Sequence, residues 1–149
     1  VAYCPREAFI ERFGERELAG LLGEGPHAGT RADTGRTYEA AAADADAILD
    51  SYLAMRGGIT LPLSGVVPPR ILELAADLTR YELYDDVKDD DTPSAVVVRR
   101  KLALEFLQRV ADGLATIPGL FPDPVDVNAG AVSVYAKPRI FTDETLAGF

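Results

Sequence analysis

Cysteine, histidine, methionine and tryptophan are almost missing from this 149-residue chain, which has one Cys, one His, one Met and no Trp. A single cysteine, Cys4, excludes an intrachain disulfide framework and any multi-cysteine zinc site. A reducing, cytoplasmic site of synthesis fits that usage. A single histidine, His27, leaves little equipment for acid–base chemistry. Long apolar runs are missing too, so no segment reads as a membrane span. The stretch Val1 to Glu7 lacks the basic start and apolar core of a signal peptide. Bases are the scarcer charge: 15 Lys and Arg stand against 24 Asp and Glu, a net charge of −9. Phosphate backbones are gripped by clustered cations, so nucleic-acid binding is disfavoured. An anionic membrane surface would repel the chain.

What is present is globular composition, 48% hydrophobic and 26% charged, enough for one domain with its own core. The patterning predicts a mainly α fold, a small bundle of four to five helices over 1–113. An extended C-terminal arm with a short strand follows over 114–149. Pro5 suits a first helical position, Phe9, Ile10 and Phe13 recur at helical spacing, and Gly14 ends that helix. A second short helix spans 15–22, and 23–36 reads as a loop by its glycines. The clearest helix covers 37–56. Its predicted stripe is Tyr38, Ala41, Ala45, Ile48, Leu49, Tyr52 and Met55, with Glu39, Asp46 and Asp50 on the opposite face. Its many alanines favour helix and permit close helix–helix approach. Gly57-Gly58 stops it. An apolar connector leads to Pro68-Pro69 and a helix over 69–86 that is apolar on more than one face. Such a helix is either central in its bundle or covered by another subunit. A last helix over 93–112, with Thr92 as cap and Pro93 as first residue, uses Val96, Ala103, Phe106, Leu107 and Val110. Beyond Leu114 the prolines forbid helix. Residues 131–136 alternate as a short strand, and Phe121, Tyr135, Phe141 and Phe149 are too apolar for a solvated tail. They either fold back on the bundle or dock on another chain.

Each chemical motif has a bland counterpart. The acidic run from Asp85 to Asp91 lacks the spacing, glycine and terminal Glu of a calcium loop, and reads as a solvated loop. His27 has neither a serine elbow nor a second His beside it. Cys4 reads as a small buried residue near the first helix. The glycines at 23, 25 and 29 match no phosphate-binding loop. The pairs Asp44/Asp46 and Asp46/Asp50 lack the Glu-x-x-His elements of a di-metal bundle and read as outward and solvated. Arg99-Arg100-Lys101 pairs with the acidic loop of the same chain or of a neighbour. No cofactor is implied, and a bundle enzyme would have to rely on His27 or Cys4.

Several segments occur together in a familiar order. They are Tyr3-Cys4-Pro5-Arg6-Glu7 running to Phe13-Gly14, Ala45-Asp46-Ala47-Ile48-Leu49-Asp50-Ser51-Tyr52-Leu53, and Leu61-Pro62-Leu63 with Pro68-Pro69. Asp77-Leu78-Thr79-Arg80-Tyr81-Glu82-Leu83-Tyr84-Asp85 and Pro138-Arg139-Ile140-Phe141-Thr142 to Phe149 complete the set. The ordered set resembles a small virion-protein family of Mu-like phages and prophages. In layout it is similar to the head–tail adaptor (connector) proteins of long-tailed phages. The resemblance implies a helical subunit that performs no chemistry. It would form a ring, commonly dodecameric, between the portal protein and a tail-side stopper or terminator at the neck of the virion, made in the host cytoplasm. DNA would pass through without specific binding.

On that reading the arm docks on the portal or the adjacent subunit, with Tyr135, Phe141, Leu146 and Phe149 as apolar anchors and Lys137 and Arg139 orienting it. Asp85, Asp86, Asp89, Asp90 and Asp91, or the acidic face near Asp44 and Asp46, would line the lumen and repel phosphates. The rival class is a cytoplasmic helical regulator that binds a protein or small ligand.

Overall fold

The computed structural model describes residues 2–23, 37–84 and 93–121. Five α-helices follow in order: α1 (Arg6–Phe13), α2 (Glu15–Leu22), α3 (Tyr38–Arg56), α4 (Pro69–Tyr84) and α5 (Ser94–Ala111). Among the described residues there is no strand, and the mainly α expectation holds. The expected strand at 131–136 lies outside them.

The helix boundaries come from local chemistry. Pro5 sits one residue earlier than expected: it occupies the cap, extended at ψ 156°, and helical geometry begins at Arg6. Its carbonyl still accepts the Phe9 N–H at 3.1 Å. Pro93 takes the same place before α5. Both prolines lie just outside the first turn because their fixed φ suits either position. Gly14 joins α1 to α2 at φ +94°, which a residue with a Cβ rarely adopts. Its N–H closes α1 onto the Ile10 carbonyl at 2.8 Å. Thr37 caps α3, its hydroxyl accepting the Ala40 N–H at 3.2 Å.

Helices α3, α4 and α5 pack on one another pairwise, and α2 lies against α4. Helix α4 is the middle of the molecule. It buries Ile71, Leu74, Ala75, Ala76, Leu78 and Leu83, and Leu72, Tyr81 and Tyr84 are half-buried. Its apolar surplus is therefore covered within the chain, as the central-helix reading expects. Helix α5 buries Val96, Ala103, Leu107 and Val110, with Phe106 packed beside them.

One part of the α3 stripe is corrected. Met55 is 65% exposed, and Leu53 is fully buried in its place. At about 100° per residue Met55 lies roughly 100° away from the line through Tyr38, whereas position 56 returns to it. Arg56 uses that position. Its Nη1 donates to the carbonyls of Val110 (3.2 Å) and Ala115 (3.4 Å), and its guanidinium stacks 4.9 Å from the Phe121 ring. A cation thereby joins the Gly113 N–H on the Val110 carbonyl at the end of α5 and ties down the Ala115 carbonyl beyond it. Ile117 is fully buried, and Leu120 and Phe121 pack against the core.

Candidate interaction surface

The N-terminal segment is fastened to one flank of α3 by a polar cluster. Tyr3, 1% exposed, donates its backbone N–H to Asp46 Oδ2 at 3.0 Å. Its phenol donates to Asp50 Oδ1 and accepts the Leu63 N–H at 2.9 Å. One side chain thus links the N-terminal segment, α3 and the 59–67 connector, which carries a cis Leu61–Pro62 bond. Tyr38 completes the clamp by donating to the Cys4 carbonyl at 2.8 Å, with its ring edge-on to Phe9. Asp46 and Asp50 are therefore half-buried structural acceptors, not the outward, solvated pair their sequence suggests. They lie on the flank of α3, and the segment that covers them starts more than 40 residues upstream, beyond what helical periodicity can register.

Burial sets the proton affinities in this cluster. It pushes the Tyr3 phenol up to about 12, with the hydrogen bond to Asp50 adding to the shift and the Leu63 N–H opposing it. It raises Tyr38 as well, helped by Cys4. Burial also raises the Cys4 thiol, which the hydrogen bond from Tyr38 opposes. It raises Asp46 against the opposing Tyr3 N–H. Cys4 is fully buried, which is the packing role expected for it; a thiol held protonated and shielded is a poor nucleophile. Asp46 Oδ1 is buried without a hydrogen-bond partner among the described residues. Asp46 and Asp50 line a groove of about 520 Å³ between α3 and the N-terminal segment, together with Pro5, Glu39, Ala43 and Ala47.

The cations of the bundle are mostly engaged. Arg12 lies 3.8 Å from both Glu73 and Asp77, and Arg80 pairs with Glu17 at 2.6 Å while stacking on Phe13. Arg70 pairs with Glu73 and stacks on Phe106. In the basic triplet, Arg99 reaches Asp77 at 3.4 Å and Arg100 stacks 4.2 Å from the Tyr81 ring. Lys101 has a loose 3.9 Å contact with Glu105. Arg99 thus finds an acid on α4; the acidic run from Asp85 to Asp91, the partner expected for the triplet, lies outside the described residues.

The expected arm anchors Tyr135, Lys137, Arg139, Phe141, Leu146 and Phe149 lie outside the described residues. So do Asp85, Asp86, Asp89, Asp90 and Asp91, and so does His27. The sequence reading missed the Tyr3 clamp; the i, i+4 spacing of Asp46 and Asp50 was its one available signal. Among the described residues no three His, Cys, Asp or Glu side chains are grouped to hold a metal ion, and no helix is long and apolar enough to cross a membrane.

Among the described residues, the groove by α3 and the outer face of α5 are two surfaces open to a partner. Large apolar side chains stand exposed on α5: Val97 at 45%, Val98 at 54% and Leu102 at 58%.

Neither the curated proteins nor the solved structures contain a match to this chain. The family model described as Bacteriophage Mu, Gp36 does match, over residues 3–134, from the Tyr3 clamp through all five helices, and the chain belongs to that bacteriophage family.

Proposed function

We propose that this protein is a structural subunit of the phage virion, a head–tail adaptor that forms a ring between the portal and the tail-side neck proteins. The observation that carries the reading is family membership across nearly the whole chain. The bundle supports it. Its polar groups are engaged in holding segments together: Tyr3 with Asp46 and Asp50, Tyr38 with Cys4, Arg56 with the end of α5. A subunit of this kind does no chemistry and needs no cofactor. It works by presenting rigid surfaces to its neighbours: a second copy, the portal, and a stopper or terminator protein. The C-terminal segment, with Tyr135, Phe141, Leu146 and Phe149 as anchors, is the portal-docking element on this reading. On the same reading, acidic side chains at the lumen, from the run Asp85 to Asp91 or from the face near Asp44 and Asp46, would repel the phosphates of the passing DNA.

Truncation after Ala136, assayed for head-to-tail joining in an infection or assembly system, tests the role. Loss of joining, with heads filled and tails complete but separate, is the expected result. Normal joining would refute the docking role of the segment. Absence of the protein from purified virions would refute the adaptor reading itself.

A further inference from the structure

The outward row of α5 is unlike an ordinary solvated face. Ala95, Val98, Leu102, Glu105 and Arg109 follow at steps of three, four, three and four on the side away from Val96, Ala103, Leu107 and Val110. Val98 and Leu102 are both more than half exposed, one turn apart. Cations border them: the Lys101 side chain is 76% exposed and the Arg99 side chain 49%. Helix α5 as a whole carries four Arg or Lys and one Glu.

Helix α3 has the opposite character. It carries four acids and one Arg. Its outward row, Ala40, Ala43, Ala47, Ser51 and Ala54, is exposed and made only of small side chains. Beside that row runs the 520 Å³ groove, bordered by the carboxylates of Glu39, Asp46 and Asp50 against the single guanidinium of Arg6.

We propose that the Val98–Leu102 ridge of α5 docks in the α3 groove of a second copy of this chain. Small residues let a second helix approach closely, so branched side chains can fill the space that alanines leave. The cations bordering the ridge, Lys101 foremost, then face the carboxylates that border the groove. That match of charge selects this partner and this orientation. The ridge and the groove lie on different helices of one three-helix core, so the contact is head-to-tail: each pairing leaves one groove and one ridge open for further copies. Such an interface propagates, into a ring where the rotation between copies closes and into an open filament where it does not. Closure into a ring rests on the adaptor reading above, whereas the pairing of the two faces rests on their chemistry alone.

The test uses two variants of the full chain, Ala47→Cys and Leu102→Cys, mixed in equal amounts and oxidised mildly. The native chain, whose Cys4 is buried, serves as the background. Disulfide-linked dimers are expected in the mixture, well above the yield from either variant alone. The double variant should give a ladder of linked oligomers. Lys101→Glu should weaken self-association about 10-fold, and adding Glu39→Lys should restore it. A mixture that stays helical by circular dichroism yet links no better than the separate variants overturns the pairing. If unlinked oligomers still form in it, a ring survives through other faces. Linked chains that grow without closing and ignore a portal preparation would uphold the pairing and refute the adaptor reading.

Discussion

Replacing Tyr3 by Phe removes one oxygen atom and unfastens three segments at a single point. The ring stays in its buried site, so no cavity forms and the loss is confined to hydrogen bonding. The Leu63 N–H, 2.9 Å from the phenol oxygen, loses its acceptor, a neutral bond of about 1 kcal/mol. Asp50 loses a donor to a charged acceptor, a bond of about 1.5–3 kcal/mol. Asp50 is only half-buried, so water partly replaces that donor and the lower end of the range applies. The sum is about 2.5 kcal/mol. For a chain of 149 residues, that corresponds to a fall in Tm of about 5–10 °C. Urea denaturation followed by circular dichroism measures the loss directly, with an unchanged m-value as the sign that compactness is preserved. A double-mutant cycle with Asp50→Asn should return a coupling of about 1 kcal/mol, because the two residues share one bond. A Tyr3→Phe chain that loses under about 0.5 kcal/mol would refute the clamp as a structural element.

Asp46→Asn tests the buried carboxylate. Because burial raises its pKa in the folded state, folding favours the protonated form, and native stability falls as pH rises from the ordinary aspartate range through the raised value. The Asn chain should lack that decline, seen as a flatter Tm-against-pH curve on the acidic side of neutrality. At the alkaline end, the Tyr3 phenol is pushed up to about 12. Stability present below the ordinary value of 10 should drain away as pH climbs toward 12, and Tyr3→Phe should remove a late-ionising group from the absorbance titration. Gly113→Ala meets two obstacles, a φ of +78° and a new Cβ 3.1 Å from Arg56 Nη1. We expect a loss of about 1–3 kcal/mol in thermal or urea unfolding. Thr79→Val should be neutral or stabilising by up to about 1 kcal/mol, since the fully buried Thr79 hydroxyl has no hydrogen-bond partner among the described residues.

The sequence carried the helices well and their polar wiring poorly. The stripes of α3 and α5 were readable because burial on one side of a helix imposes its period on the chain. For α4 the pattern narrowed the choice to two, a central helix or one covered by another subunit, because a helix apolar on several faces has few places to go, and the fold decided between them. The same logic failed at Met55, where steps of three and four drifted away from the true 3.6-residue period, and at Arg56, a charge that sits on the core side of its helix. It failed also at Asp46 and Asp50. Their surroundings are set by Tyr3, a contact of long sequence separation that no local pattern encodes. Pro5 and Pro93 show the limit at helix ends, where a residue whose φ is fixed suits the cap and the first turn alike.

Arg56 has a mechanical consequence. The last residue of α3 holds the carbonyls of Val110 and Ala115 and the ring of Phe121 in one hand. Phe121, the last described residue, is therefore moored to α3 and not only to the end of α5. A pull on Phe121 would be borne first by Arg56 and then passed into α3, to which Tyr3 is also fastened. A load entering at Phe121 thus reaches the same helix that anchors the N-terminal segment.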